Sequence, residues 1–87
     1  MAWATVVLHG DLNDFPLPHR RGAVAHRRGA VVHRRFIGRP AVKDLLEALG
    51  IPHPEIAAIT VNGAPAGFDH RLDDGARVEV WPAAEAL

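Results

Sequence analysis

The feature that most constrains this sequence is one stretch with the hydrophobic period of an α-helix, followed by residues that forbid its extension. Apolar residues recur there at positions i, i+3, i+4 and i+7 and so share one side of a helix; they are Val42, Leu45, Leu46 and Leu49. Gly50 stands where a left-handed C-terminal cap belongs, and prolines at 52 and 54 prevent a further turn. We therefore predict one main helix of about two and a half turns.

The other apolar segments alternate with a two-residue period, as β-strands do. The predicted strands are residues 3–9, 30–37, 56–61 and 77–81. Pro65 confines a further short segment, 64–68, to a sheet edge. Asn62-Gly63 and Asp73-Asp74-Gly75 are turn signals, and residues 12–15, followed by two nearby prolines, are expected to form a loop or a single helical turn.

This order of elements, β-β-α-β-β-β, restricts the architecture. A mixed four- to five-stranded sheet, with the main helix packed on one face and both terminal strands at its centre, buries such a pattern economically. At 87 residues the chain has room for one domain with a limited core. We therefore predict a single α+β domain over residues 1–87.

A seven-residue repeat occupies the middle of the chain. His19-Arg20-Arg21-Gly22-Ala23-Val24-Ala25 is followed by His26-Arg27-Arg28-Gly29-Ala30-Val31-Val32, and His33-Arg34-Arg35-Phe36 begins a third copy. Two near-identical units compete to form the second strand. We expect residues 30–37 to form it, and residues 22–28 to form an additional strand or a loop.

The charges are segregated along the chain although they sum to zero. Residues 19–43 carry eight cations and no anions, whereas residues 44–87 carry eight anions and two cations, a net charge of −6. The basic middle could contact phosphates, pair with the acidic half of the same chain, or steer a partner.

Several kinds of chemistry lack candidate residues. The chain has no cysteine and no serine, which removes a disulfide framework, a thiolate zinc site and the usual nucleophiles. Asp73 and Asp74 directly precede Gly75 and are interpreted as turn formers rather than as an acid and a base. His19, His26 and His33 cannot all converge from one strand, although a hairpin could pair two of them. We expect no catalytic residue, no cofactor and no metal.

The signals for membrane targeting are also missing. The chain contains no run of eighteen apolar residues, and its N-terminus has no basic segment of the kind that begins a signal peptide. We therefore expect no membrane association. The lack of cysteine is compatible with the cytoplasm, where we expect the protein.

Motifs spread over nearly the whole chain resemble a known family. Val61-Asn62-Gly63 and the segment from Phe68 to Pro82 resemble the C-terminal half of the sulfur carriers of thiamine and molybdopterin biosynthesis. A closer similarity is to the ubiquitin-like domain found in front of the Mut-seven-C nuclease domain. Its hallmarks here are Leu12-Asn13-Asp14-Phe15, Arg20-Arg21-Gly22, the segment from Phe36 to Asp44, and the segment from Glu47 to His53. The resemblance implies a β-grasp, ubiquitin-like fold.

The chain departs from the resemblance at two points. The family has one repeat unit fewer, so residues 19–35 contain a duplicated basic heptad as an insertion. A sulfur carrier also ends in Gly-Gly, whereas this chain ends Pro82-Ala83-Ala84-Glu85-Ala86-Leu87 and has no glycine after Gly75. Those side chains would not enter the narrow channel in which a carrier's tail is adenylated and thiolated. We therefore expect no carrier activity.

These observations lead to a functional hypothesis. We expect a non-catalytic module that binds a protein, which the resemblance suggests is a nuclease domain in cis or in trans. Trp3, Val7 and Trp81 are predicted on the sheet face away from the helix, where large apolar groups favour an interface. The candidate partner-binding residues are Trp3, Trp81, Arg27, Arg28, Arg34 and Arg35. The alternatives are a degenerate sulfur carrier and a domain that contacts RNA through the basic segment, and an exposed strand in the repeat could also pair two copies into a homodimer.

Overall fold

The fold consists of one sheet and one main helix. The computed structural model describes residues 2–14, 25–28 and 30–83, and for residues 13, 14 and 25–28 it describes the backbone alone. The strands are β1 (Ala2–Leu8), β2 (Ala25–Arg28), β3 (Val31–Phe36), β4 (Ile56–Val61), β5 (Ala64–Pro65) and β6 (Ala76–Pro82). The helix α1 spans Val42–Ala48, and short 3-10 segments span Gly10–Asp14 and His53–Glu55.

The six strands form one mixed sheet in the order β2-β3-β1-β6-β4-β5. The two terminal strands, β1 and β6, lie side by side at its centre and run parallel, and every other neighbouring pair is antiparallel. The predicted α+β class and the central position of the terminal strands are confirmed. The strand count exceeds the predicted four to five by one, because residues 25–28 pair with β3 as an additional edge strand.

The core lies between α1 and one face of the sheet. Alternate residues of β1 and β6 point toward it, as the two-residue period requires. The fully buried aliphatic side chains include Val6, Leu8, Val32, Val42, Leu46, Leu49, Leu72, Val78 and Val80. Each buried side chain of this size contributes about 1.5–3 kcal/mol relative to full exposure, so these contacts account for the association of helix and sheet.

The helix is shorter than its hydrophobic stripe predicts. Leu49 is buried but stands at the C-cap, outside the seven helical residues. Gly50 has a φ of +76°, and the N–H of Ile51 donates to the carbonyl of Leu46 at 3.0 Å, which is the hydrogen bond of a Schellman cap. The predicted left-handed cap at Gly50 is therefore confirmed, and it ends the helix one residue before the stripe ends.

Loop carbonyls and one carboxylate satisfy the first N–H groups of the helix. The N–H groups of Val42 and Lys43 donate to the carbonyls of His70 and Phe68, each at 2.9 Å. The Asp44 carboxylate accepts from the N–H of Ala41 at 3.1 Å. These bonds fix the loop between β5 and β6 against the helix, since the first turn has no intrahelical acceptors of its own.

The repeat forms a β-hairpin. The strand β2 joins Ala25 to the start of the second unit, and it forms an edge of the sheet. The strand β3 joins the end of the second unit to the start of the third, pairs with β1, and is thus the later copy of β2, seven residues further along the chain. The core positions of β3 hold Val32 and Phe36, whereas the equivalent positions one unit earlier hold Ala25 and Gly29. The later copy buries more apolar surface, which explains why it takes the inner position. Residues 22–24 of the predicted extra strand or loop lie outside the described part of the chain.

Candidate functional site

The sheet face opposite α1, called the outer face below, presents side chains from the three central strands. The alternation that buries Ala4, Val6 and Leu8 points their odd-numbered neighbours outward. Cross-strand pairing then assigns residues of β3 and β6 to the same face. The outer-face residues of these strands are Trp3, Thr5, Val7, Val31, His33, Arg35, Arg77, Glu79 and Trp81.

Trp3 lies at one end of the outer face on a fixed backbone. Its N–H donates to the Asp74 carboxylate at 2.8 Å, and its carbonyl accepts from the N–H of Gly75 at the same distance. Its indole is 39% exposed, and its direct cross-strand neighbour is Arg35. Tryptophan and arginine are both among the residue types enriched in binding hot spots.

Trp81 lies at the other end of the outer face in a different setting. Its ring stacks on the imidazole of His9, with centroids 4.5 Å apart and planes inclined by 4°. The Nε2 atom of His9 lies 3.2 Å from Oε1 of Glu79. The stack covers one side of the indole, so Trp81 is half-buried and presents an edge and a single ring face.

The centre of the outer face is polar on one side and apolar on the other. Thr5 Oγ1 and His33 Nδ1 lie 3.2 Å apart, across the pair of strands β1 and β3. Val7 and Val31, the next cross-strand pair, are mostly covered. Trp3 lies six residues before His9, about 20 Å at the rise of an extended strand. Because His9 stacks on Trp81, the two tryptophans do not contact each other.

The arginines of the predicted site do not share one face. Arg35 lies on the outer face opposite Trp3, whereas Arg34 pairs with the buried Ala4 and therefore lies on the helix side. Both side chains are half-buried. Arg27 and Arg28 belong to β2, where their backbones pair with Val32 and Val31, and their side chains lie outside the description. The register also pairs His26 with His33, as a hairpin was expected to allow.

Part of the basic segment is paired with the acidic half of the chain. Arg39 Nε lies 2.8 Å from the Asp73 carboxylate, and Lys43 Nζ lies 3.2 Å from the Asp69 carboxylate. Each of these ion pairs is mostly exposed and so adds little to stability. They do reduce the positive field of the segment beyond β3.

Sequence reasoning missed two residues, one on the outer face and one beyond it. His9, the last residue of the predicted strand 3–9, continues the odd-numbered row of Trp3, Thr5 and Val7. That parity was a usable signal. Ile37 is the last residue of the predicted strand 30–37, but β3 ends at Phe36, and Ile37 lies in the bend that follows, where it is 85% exposed.

The described residues contain neither a metal-binding group nor a membrane-spanning helix. Within residues 2–14, 25–28 and 30–83, no group of three or more metal-ligating side chains is positioned to hold an ion. Over the same part of the chain, no helix has the length and apolar character needed to cross a membrane.

Comparison with known proteins identifies the family. No curated protein and no solved structure matches the chain significantly. The sequence profile of the family described as Mut7-C ubiquitin, however, matches residues 1–87. The match agrees with the observed fold, since one helix packed on a mixed sheet with both terminal strands at its centre is the arrangement of a ubiquitin-like β-grasp domain. The chain belongs to the Mut7-C ubiquitin family.

Proposed function

We propose that this chain is a non-catalytic ubiquitin-like module that binds a protein partner through the outer face of its sheet. The observation that carries the proposal is Trp3, a large side chain on a backbone fixed by two hydrogen bonds and still 39% exposed beside Arg35. A backbone that is already ordered loses little conformational entropy when a partner covers the residue.

The composition of the outer face supports a protein as the partner. Interface cores are enriched in tryptophan and arginine and depleted in lysine and glutamate. The outer face has two tryptophans and Arg35, and its glutamate, Glu79, is already engaged by His9. Such a face would offer an anchor at the Trp3 end and a flatter, stacked surface at the Trp81 end.

RNA is a less suitable partner for the same residues. A surface that follows a phosphate backbone needs its cations on one side, with aromatic rings between them on which bases can stack. Arg34 and Arg35 point to opposite faces of β3, and one face of Trp81 is occupied by His9. These features favour the protein partner over the nucleic acid.

The resemblance to a domain fused to nucleases suggests which partner to test. We infer a Mut-seven-C nuclease domain, acting in cis or in trans, as the partner. The experiment is a calorimetric titration of that domain, expressed separately, with this chain and its Trp3→Ala variant. We expect a loss of at least about thirtyfold in affinity, since truncating a hot-spot residue costs about 2 kcal/mol or more.

The matched control is Ile37→Ala, which also removes an exposed large apolar side chain but lies beyond the sheet face. Its affinity should stay within about twofold of the wild type, because surface contacts outside a hot spot are nearly neutral. Equal losses in both variants, or a Trp3→Ala variant that binds like the wild type, would contradict the proposal.

A further inference from the structure

The sheet ends in a whole unpaired strand edge on one side and in a partly paired strand on the other. β2 forms one edge, and β4 with the two-residue β5 forms the other. Among the described residues, β5 pairs with Thr60 and Val61 of β4 alone, and Ala66 adds one bond by donating to the carbonyl of Ile59 at 3.0 Å. In the described part of the chain, Ile56, Ala57 and Ala58 therefore have no strand partner on that side. Exposed strand edges of this kind readily accept another strand.

An apolar groove runs along the open part of β4. Its volume is about 280 Å³, and its lining comes from β4 and from the segment that follows β5, chiefly Ile56, Ala58, Ile59, Pro65, Ala66 and Phe68. None of the lining side chains is charged. The volume is slightly below the range of about 300–1,000 Å³ that holds drug-sized ligands, so a short extended peptide suits the groove better than a cofactor.

The two edges differ in charge. Three mostly exposed acidic residues are linked to the groove: Glu55 directly precedes Ile56, Asp69 directly follows Phe68, and Glu47 lies 3.6 Å from His53, which stacks on Phe68. Lys43 pairs with Asp69 and offsets one of these charges. The opposite edge carries His26, Arg27 and Arg28 in sequence and no anion. The basic middle of the chain thus lies at the β2 edge of the sheet, and acidic residues lie near the β4 edge.

The strand directions also suit a contact between the two edges. β2 runs parallel to β1 and β6, and β4 runs opposite to them. A second copy displaced along the sheet would therefore bring its β2 antiparallel to the β4 of the first. Antiparallel pairs are the commoner and slightly more stable kind. Residues 26–28 of β2 match the length of the open residues 56–58, and an antiparallel pairing of residue 28 with residue 56 brings Arg28 to the end of β4 that Glu55 precedes.

We propose that copies of this chain associate head to tail, with β2 of one copy added to the open β4 edge of the next. This inference does not depend on the proposed function of the outer face. It differs from a homodimer through the repeat, in which two β2 edges would pair about a twofold axis and bring Arg27 and Arg28 of both copies together. Like charges directly opposite on paired strands are destabilising. A head-to-tail contact leaves one free edge at each end of a dimer. Further copies can therefore add, which gives a ring if the rotation between copies closes and an open chain if it does not.

The test uses two variants, each blocked at one edge. Arg27→Glu/Arg28→Glu reverses the charge of β2, and Ala57→Pro removes a backbone donor at the bulge of β4, a position where proline is tolerated. The masses in solution are measured by sedimentation velocity. Wild type at about 1 mM, the range of a weak contact, should sediment as two or more copies. Its mass should fall toward one copy when salt rises from about 0.05 to 0.5 M, because salt screens the charges.

Mixing the two variants gives the decisive outcome. Each variant alone should be a monomer, and an equal mixture should form a complex of two chains and no larger, since one complementary pair of edges remains. The control Arg71→Glu/Arg77→Glu changes net charge equally at exposed positions away from β2 and should still assemble. Circular dichroism verifies that each variant is folded. A wild type that stays monomeric at low salt, or an Ala57→Pro variant that dimerises like the wild type, would overturn the proposal.

Discussion

His9 and Trp81 stack almost in parallel, with ring centroids 4.5 Å apart, and the Nε2 atom of the same histidine lies 3.2 Å from the Glu79 carboxylate. These contacts connect the residue after β1 to the neighbouring strand β6. The end of the sheet where the two central strands terminate is therefore held by side chains as well as by the N–H of His9, which donates to the carbonyl of Val80 at 3.0 Å.

Removal of the His9 ring should weaken the fold measurably. We expect His9→Ala to lower the free energy of unfolding by about 1 kcal/mol, since stacked ring pairs contribute about 0.5–1.5 kcal/mol. The measurement is urea denaturation followed by tryptophan fluorescence. His70→Ala, at an exposed loop position, is the control and should change the midpoint little. Equal midpoints for both variants would mean that the stack adds nothing.

The turn before β6 should depend on its glycine for conformational reasons alone. Gly75 has a φ of +83°, and its N–H bonds to the carbonyl of Trp3 at 2.8 Å. A Cβ at Gly75 would meet no atom within 4 Å, so any cost of Gly75→Ala comes from the backbone angle, about 1–2 kcal/mol.

Gly67→Ala is the matched control for this prediction. A Cβ there also meets no atom within 4 Å, and Gly67 is not among the glycines with positive φ. We expect Gly67→Ala to be neutral or slightly stabilising because it restricts the unfolded chain. Thermal melts of the two variants should differ in the direction stated, and a Gly75→Ala variant as stable as Gly67→Ala would contradict the account of the turn.

The contact between helix and sheet should dominate stability. Leu46 is fully buried, and Leu46→Ala should cost about 2–5 kcal/mol, a large share of the stability of a small domain. Glu47→Ala, at the next and exposed position, should cost far less. Denaturant titration monitored by circular dichroism measures both. If Leu46→Ala lowered the free energy of unfolding no more than Glu47→Ala does, the contact between helix and sheet would not be the main source of stability.

The segment that forms β2 should be dispensable for the fold. Deletion of residues 19–29 removes β2 together with residues 19–22, whose identical sequence would otherwise take the place of residues 26–29 before Ala30, and it leaves the residues of β3 intact. Because β3 is the strand with which β2 pairs in the described part of the chain, we expect the melting temperature to fall modestly and self-association to be lost. Unfolding of the deletion variant would show that β3 needs β2. Unchanged mass and stability would mean that the repeat has no role in assembly.

The sequence predicts some of these features well because their causes are local. The spacing of Val42, Leu45 and Leu46 identifies α1, and Asn62 and Gly63 both adopt the positive φ that a two-residue hairpin turn requires. The burial of Leu72 depends instead on a loop that crosses the sheet, where its N–H bonds to the carbonyl of Pro40. No periodicity marks such a residue, since its environment is built by distant segments.

The candidate site was predictable only in part for a related reason. Strand parity correctly assigns Trp3 and Trp81 to one face, but it does not reveal that about 20 Å separates them. The run of basic residues suggested one charged surface, whereas the two-residue period of β3 sends Arg34 and Arg35 to opposite sides. The stacking of His9 on Trp81 depends on the parallel pairing of β1 with β6, which joins the two ends of the chain.

The central claim, that the outer face receives a protein partner, is tested most directly by nuclear magnetic resonance. The amide signals of the labelled chain are followed while unlabelled nuclease domain is added. We expect the largest shift changes along β1, β3 and β6, centred on Trp3 and Arg35, with small changes in α1. The claim would be contradicted by shift changes centred on α1. It would also be contradicted if no signal shifted at nuclease-domain concentrations at which weak complexes form.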